Sequence, residues 1–259
     1  MTSRRNAPPP VAAASGKTGR SAAPAGRHAG TDPSGALVRR LLREARKAVL
    51  ASRLEPVAGG AHADWPYASL VLVAADIDGA PILFLSDLSQ HARNIAADGR
   101  VSLLLDGTTG RKDPLTGPRV TLIGVAAPSD EPRLKRRFLA LQPAAALYAG
   151  FKDFRVYRLE PERAHLVAGF GRIEWVERDA LLLPGLLCRG LLHEEENLLA
   201  SLNAKRRRTQ WRVAAIDPEG ADLVRAGGLR RAAFAEPVAQ TQKARAFVAR
   251  ALRQGGRKA

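Results

Sequence analysis

Cysteine occurs once in the 259 residues, at Cys188, so no disulfide can form within the chain and no cysteine-based zinc cluster is available. A reducing compartment fits best. Acids are scarce, 25 Asp and Glu against 41 Lys and Arg. No run approaches the ~18 to 20 apolar residues that a membrane-spanning helix needs, and the N-terminus is charged and proline-rich where a secretory signal would be apolar. The expectation is a soluble, cytoplasmic protein. Also missing are Gly-x-Ser-x-Gly, a Walker loop and any paired-acid signature, and His28, His62 and His193 lie scattered without metal-ligand spacing, so no metal site is predicted.

Hydrophobic residues make up 46 % of the chain, enough for a core. Residues 1–35 stand apart: Arg4, Arg5, Lys17, Arg20 and Arg27 face Asp32 alone in an Ala/Pro/Gly/Ser background that cannot offset its ordering entropy. A disordered basic tail is expected there. It lacks the leucine-bearing stripe of an organelle transit peptide.

Order is expected from about Ala36. "ALVRRLLREARKAVLASR" sets Leu37, Val38, Leu41, Leu42, Ala45, Ala48 and Val49 near one helical face, predicting a helix over 36–53. "YASLVLVAADIDGAPILFLS" reads as a hairpin turning at "DIDG", and "RVSLLLDG" with "RVTLIGVAAPSD" as a second strand pair. A helix is predicted in "DEPRLKRRFLALQ", then two strands in "DFRVYRLE" and "AHLVAGF". Short antiparallel strands with few helices point to an α+β protein whose part over 36–178 is a six-stranded antiparallel β-barrel, closed to remove its edges; the resemblance described below implies the split form of that barrel. Residues 179–259, past a boundary near "LLLPGLLCRG", read as a small C-terminal α+β domain ending in the amphipathic helix "TQKARAFVARALRQ".

The connection "SDLSQHARNIAAD" is unusually polar for a link between two buried strands. If Ser89 caps a helix running to about Asp98, the first-turn N–H groups, the Ser86 and Ser89 hydroxyls and His91 could converge on an anion, phosphate above all. The plainer alternative is that Ser89 only caps the helix while His91, Arg93 and Asn94 form a solvated face.

Three stretches together, "PYASLVLVAADIDGAPILFLSDLSQHARNIAADGRVSLLLDG", "DPLTGPRVTLIGVA" and "FKDFRVYRLEPERAHLVAGFGRIEW", resemble the pyridoxamine 5′-phosphate oxidase-like split barrels that bind FMN, in their haem-utilisation (HugZ-type) branch. The resemblance covers roughly 36–178. It implies FMN at a homodimer interface, with Ser86, Ser89, Gln90, His91 and Asn94 around its phosphate, and Ser69 and Arg119 facing the flavin or its phosphate. In the vitamin-salvage oxidases the positions of Ser69 and His91 hold Arg and Lys, so this site is less positive. The appended domain of that branch often carries "HMNxDH" where this chain reads "ASLNAKRRRTQ".

The leading expectation is therefore an FMN-binding flavin-dependent oxidoreductase acting on a small-molecule ligand as a homodimer. The alternative is a haem-binding or haem-degrading protein on the same barrel, with His165 in "ERAHLVAGFGR" as the iron ligand; a strand histidine satisfied by a carbonyl is the plainer reading of that residue. A third possibility is a basic module for nucleic acid, resting on "AKRRRTQWR". No helix-turn-helix, zinc finger or RNP motif accompanies that run, and charge runs are usually solvated faces, so a nucleic-acid partner is not expected.

Overall fold

The computed structural model describes residues 32–56, 63–169, 171–207, 210–226 and 228–254. Most of the expected basic tail, His28 and His62 lie outside the described residues. Helix α1 spans Pro33–Glu44, with the Asp32 carboxylate accepting from Ser34 and Gly35 N–H at 2.8 and 2.9 Å and proline opening the first turn. Residues 33–35, expected to lack order, thus form the start of this helix.

The predicted helix over 36–53 breaks at Glu44. Strand β1, Lys47–Arg53, follows, with Ala48, Leu50 and Ser52 buried and Lys47, Val49 and Arg53 exposed. A period of two replaced a period near four because β1 sits between two strands, β2 (Pro66–Leu72) and β5 (Arg100–Asp106), and its backbone groups are needed by both.

The expected hairpin at "DIDG" is shorter than predicted. Strand β2 pairs with β1, whereas the two-residue β3 (Ala74–Ala75) pairs with β4 (Pro81–Ser86). The full order is β2-β1-β5-β6-β7-β4-β3, with β6 at Arg119–Ser129 and β7 at Phe154–Val167, so β2 and β3 occupy opposite edges. The chain joins those edges through Val73, fully buried, whose N–H donates to Arg46 O and whose carbonyl accepts from Gln142. This connection curls the sheet into a split barrel.

The sheet has eight strands, all antiparallel, rather than six. "DFRVYRLE" and "AHLVAGF" merge into β7, a single 14-residue strand, and β8 (Ile173–Glu177) adds to its far half. A bulge between Ile123 and Gly124 bends the β6–β7 pair. Glycine is required at the bend: a Cβ on Gly124 would lie 2.1 Å from the Glu160 carbonyl oxygen.

Leu50, Val71, Leu83, Leu103, Leu122 and Leu159 fill the barrel interior. Helix α2 (Gln90–Ala97) packs at the β1 end, and α3 (Pro132–Leu141) covers the outside of β4 through Leu134 and Phe138. A short α4 (Arg178–Leu181) leads into α5 (Gly185–Asn203), and a three-stranded sheet of β9 (Arg212–Asp217), β10 (Gly220–Arg225) and β11 (Gly228–Ala233) packs with α5 and α6 (Thr241–Gln254). These elements match the expected C-terminal α+β part.

Barrel and C-terminal elements meet through buried charge. Arg39 and Arg43 on α1 and Arg137 on α3 reach Glu219, Asp217 and Glu195, and Arg231 closes the set on Asp217 (2.8 Å) and Asp222 (3.1 Å). Burial works against the Asp217 carboxylate, but the guanidiniums of Arg231, Arg43 and Arg137 outweigh it and hold its pKa below the ordinary range.

Candidate functional site

The polar connection after β4 is built largely from bonds within itself. Ser86 Oγ donates to Asp153 Oδ2 at 2.5 Å and accepts from Leu88 N–H at 3.2 Å. Ser89 is the N-cap of α2: its hydroxyl donates to Ser86 O (2.6 Å) and accepts from Ala92 N–H (3.3 Å). Gln90 donates to Glu55 (3.1 Å) and Asn94 (2.9 Å), and Arg93 is committed to Glu55, Gln90 and Leu88 O.

Asn94 does not belong to a solvated face. It is fully buried, donating to Ser52 Oγ at 2.9 Å and accepting from Glu55 N–H and Gln90. It ties the exit of β1 to α2, which is a structural task. His91 is half-buried without a hydrogen bond among the described residues, and burial lowers its pKa below the ordinary imidazole value, favouring the neutral ring.

The seven predicted residues meet in part. Ser86, Ser89, Gln90, His91 and Asn94 form one cluster. Ser69 sits opposite Leu50, donating to its carbonyl at 3.5 Å, one step along the same face from the Ser52–Tyr67 pair. Arg119 is remote: it pairs with Val167 at one end of β7, whereas Ser86 pairs with Phe154 at the other. Its guanidinium donates to Leu115 O and Gly117 O. A phosphate dianion fits the loop of one chain poorly, because Asp87, Asp153 and Glu55 supply carboxylates while Arg93 is already committed.

A different surface holds unmatched groups. Across six strands, Leu70, Val49, Leu104, Thr121, His165 and Trp175 lie in register, each opposite the next, on the sheet face turned away from the barrel core. Leu70 is 67 % exposed, Trp175 50 %, Leu104 40 % and Val49 38 %. A row of exposed aliphatic and aromatic residues on a sheet face marks a surface meant to be covered. His165 meets the Trp175 ring at 4.8 Å and makes no hydrogen bond among the described residues, so the expected backbone-satisfied histidine is not what forms here.

Cations border this row. Arg163 lies over Trp175 at 4.3 Å and pairs with Glu177, and Arg119 stands one same-face step from Thr121. Sequence reasoning missed Val49, Leu70, Leu104, Thr121 and Trp175. The signal was present in "KAVLASR" and "RVSLLLD", where apolar residues occupy both parities of a strand.

A cleft of about 520 Å³ lies elsewhere, among α3, α5 and β9; Arg136 and Arg137 in its lining are matched by Glu196 and Glu195, while Arg212 has no carboxylate partner among the described residues. Cys188 is buried, and burial pushes its thiol up to about 12, which leaves it unreactive. No helix among the described residues is long and apolar enough to cross a membrane.

The chain is 36 % identical over 110 residues to "Non-canonical heme oxygenase HOZ, chloroplastic" of Arabidopsis thaliana, covering 40 % of this chain and 32 % of that protein, so it spans about a third of that relative. Among solved structures, protein Atu2129 of Agrobacterium tumefaciens, described as of unknown function, is 29 % identical with a TM-score of 0.69, covering 85 % of this chain and 95 % of that one. A heme binding protein from Mycobacterium smegmatis is 25 % identical with a TM-score of 0.52, covering 86 % and 99 %. The family model described as "CREG, beta-barrel" matches residues 32–182, more than half of the chain, and the protein belongs to the CREG beta-barrel family.

Proposed function

We propose that this protein binds haem on the outer face of its sheet, with His165 as the iron ligand, between two copies of the chain. The observation that carries the reading is the in-register row: an apolar surface wide enough for a flat macrocycle, with one imidazole in it that has no hydrogen bond among the described residues. Leu70, Val49 and Leu104 would exclude water from the ligand's apolar edge, and Trp175 holds the imidazole plane. Arg119 and Arg163, at the border, suit carboxylate side chains. Bound haem would supply a redox-active iron, which His165 would hold among the apolar side chains of the row. The likeness to a plant heme oxygenase and a mycobacterial heme binding protein supports the choice of ligand.

A homodimer follows from the same face. A second copy is the simplest cover for exposed Leu70, Val49 and Leu104, because an antiparallel sheet face normally alternates towards polar residues on its solvent side. Adding haem to the purified protein should give a sharp Soret band that His165→Ala abolishes. A Soret band of unchanged position and intensity in that variant would defeat the assignment.

FMN is the second reading, favoured by the half-buried, hydrogen-bond-free His91 beside the first turn of α2. It would make the protein a flavin-dependent oxidoreductase acting on a small molecule. Two carboxylates, Asp87 and Asp153, stand against a phosphate there. Protein that purifies yellow, and loses its flavin in the double variant Ser89→Ala, His91→Ala, would favour FMN over haem.

A further inference from the structure

The C-terminal sheet separates its charges along its own length. From residue 197 onward the acids of the chain are Asp217, Glu219, Asp222 and Glu236. The first three sit at or near the β9–β10 turn and are engaged by Arg231, Arg39 and Arg43. The open end of the same hairpin carries Arg212 and Arg225, and the connection before it carries Lys205, Arg206 and Arg207.

The fold adds cations that the sequence keeps apart. The guanidiniums of Arg225 and Arg230 each lie 4.6 Å from the centre of the Trp211 ring. Arg206 donates to Trp211 O at 3.1 Å. Arg230 also donates to Ala251 O at 3.3 Å, bringing in the last turns of α6, where Arg250 and Arg253 are exposed. Among the described residues, Lys205, Arg207, Arg212, Arg225, Arg230, Arg250 and Arg253 have no carboxylate partner. Like charges gathered around one indole repel, and an approaching polyanion relieves that repulsion.

We propose that this end of the C-terminal sheet is a docking surface for nucleic acid, held through its phosphate backbone without reading base sequence. The indole fixes two guanidinium planes by cation–π contact; exposed Arg225 keeps an N–H edge that can meet phosphate oxygens two at a time, while Arg230, with one donor committed to Ala251 O, adds its charge beside it. Regularly spaced phosphates match a surface with several unpaired arginines better than a single anion does. A membrane surface fits less well, since the exposed large hydrophobic residues described on the C-terminal elements, Leu186, Leu192 and Phe247, lie on α5 and α6, with Phe247 packed edge-on against Phe234.

The test uses the full chain and a fluorescein-labelled oligodeoxythymidine of about 20 nucleotides, followed by anisotropy between about 50 mM and 200 mM salt. Binding should weaken steeply with salt. In R225Q/R230Q it should fall about tenfold or more, and the slope of log affinity against log salt should drop by about 1.4, two lost contacts at ~0.7 each. R207Q/R212Q, on exposed side chains outside the Trp211 cation–π contacts, should shift binding the same way and guards against a folding defect in the first pair. Haem binding should be unaffected in both. Absence of oligonucleotide binding, binding equal to wild type in both variants, full competition by millimolar inorganic phosphate, or retention on phosphatidylserine vesicles alone would each overturn the proposal.

Discussion

The loop after β4 and the outer face of the sheet use their side chains in opposite ways. In the loop, Ser86, Ser89, Gln90, Arg93 and Asn94 look like a ligand cradle in one dimension, yet their donors and acceptors are paired with each other, with Asp153 and with Glu55. On the outer face, Val49, Leu70, Leu104 and Trp175 resemble ordinary core residues, yet they lie uncovered beside an imidazole that has no hydrogen bond among the described residues. Polarity alone is a poor sign of a site; an interaction left unmade is a better one.

That contrast can be broken by experiment. The largest effect should come from Asn94→Ala, which leaves Glu55 N–H and Ser52 Oγ without their buried partner. We expect a loss of about 3 kcal/mol in urea unfolding, with haem affinity of the folded protein unchanged. A loss below about 1 kcal/mol would mean the loop is not committed to the fold.

Next, His165→Ala should weaken haem binding at least tenfold, about 1.4 kcal/mol or more, while changing unfolding stability by no more than about 0.5 kcal/mol. Titration followed in the Soret region, beside urea unfolding, checks both halves. If the outer face joins two copies as proposed, Leu104→Glu should weaken self-association about tenfold, read by sedimentation at several concentrations, by placing a charge on that exposed face. A sedimentation coefficient identical to that of wild type throughout would show that this face does not join two copies.

The smallest effect concerns pH. Burial lowers the pKa of His91 in the folded state, so the unfolded chain takes up its proton first as pH falls. Stability from this residue is present above the ordinary imidazole pKa and is lost as pH falls through the folded value. His91→Gln should therefore flatten the decline in thermal midpoint between about pH 7 and 5. An unchanged slope would show that the His91 ring is solvated in both states.

Much of this was legible in one dimension. Turn residues bounding apolar runs identified β5 and β6, and α3 and α6 were legible because each has one apolar face of helical period. The capping role of Ser89 was readable too. The segment 45–53 was not, since Ala-rich "ARKAVLASR" satisfies helical and strand periods alike and the choice is made by neighbouring strands. The outer row was hidden for a related reason. Its members come from six strands, and they become neighbours through register, which no local pattern encodes.

The ionic joint between α1, α3 and the β9–β10 turn bears on how the molecule can be divided. Anyone trimming the chain after α4 would strip Arg39, Arg43 and Arg137 of Glu219, Asp217 and Glu195, leaving three cations with backbone carbonyls from the retained part but without these carboxylates. The split barrel is thus a poor candidate for life as an isolated fragment: its helices have been wired to await acids that leave the ribosome after them.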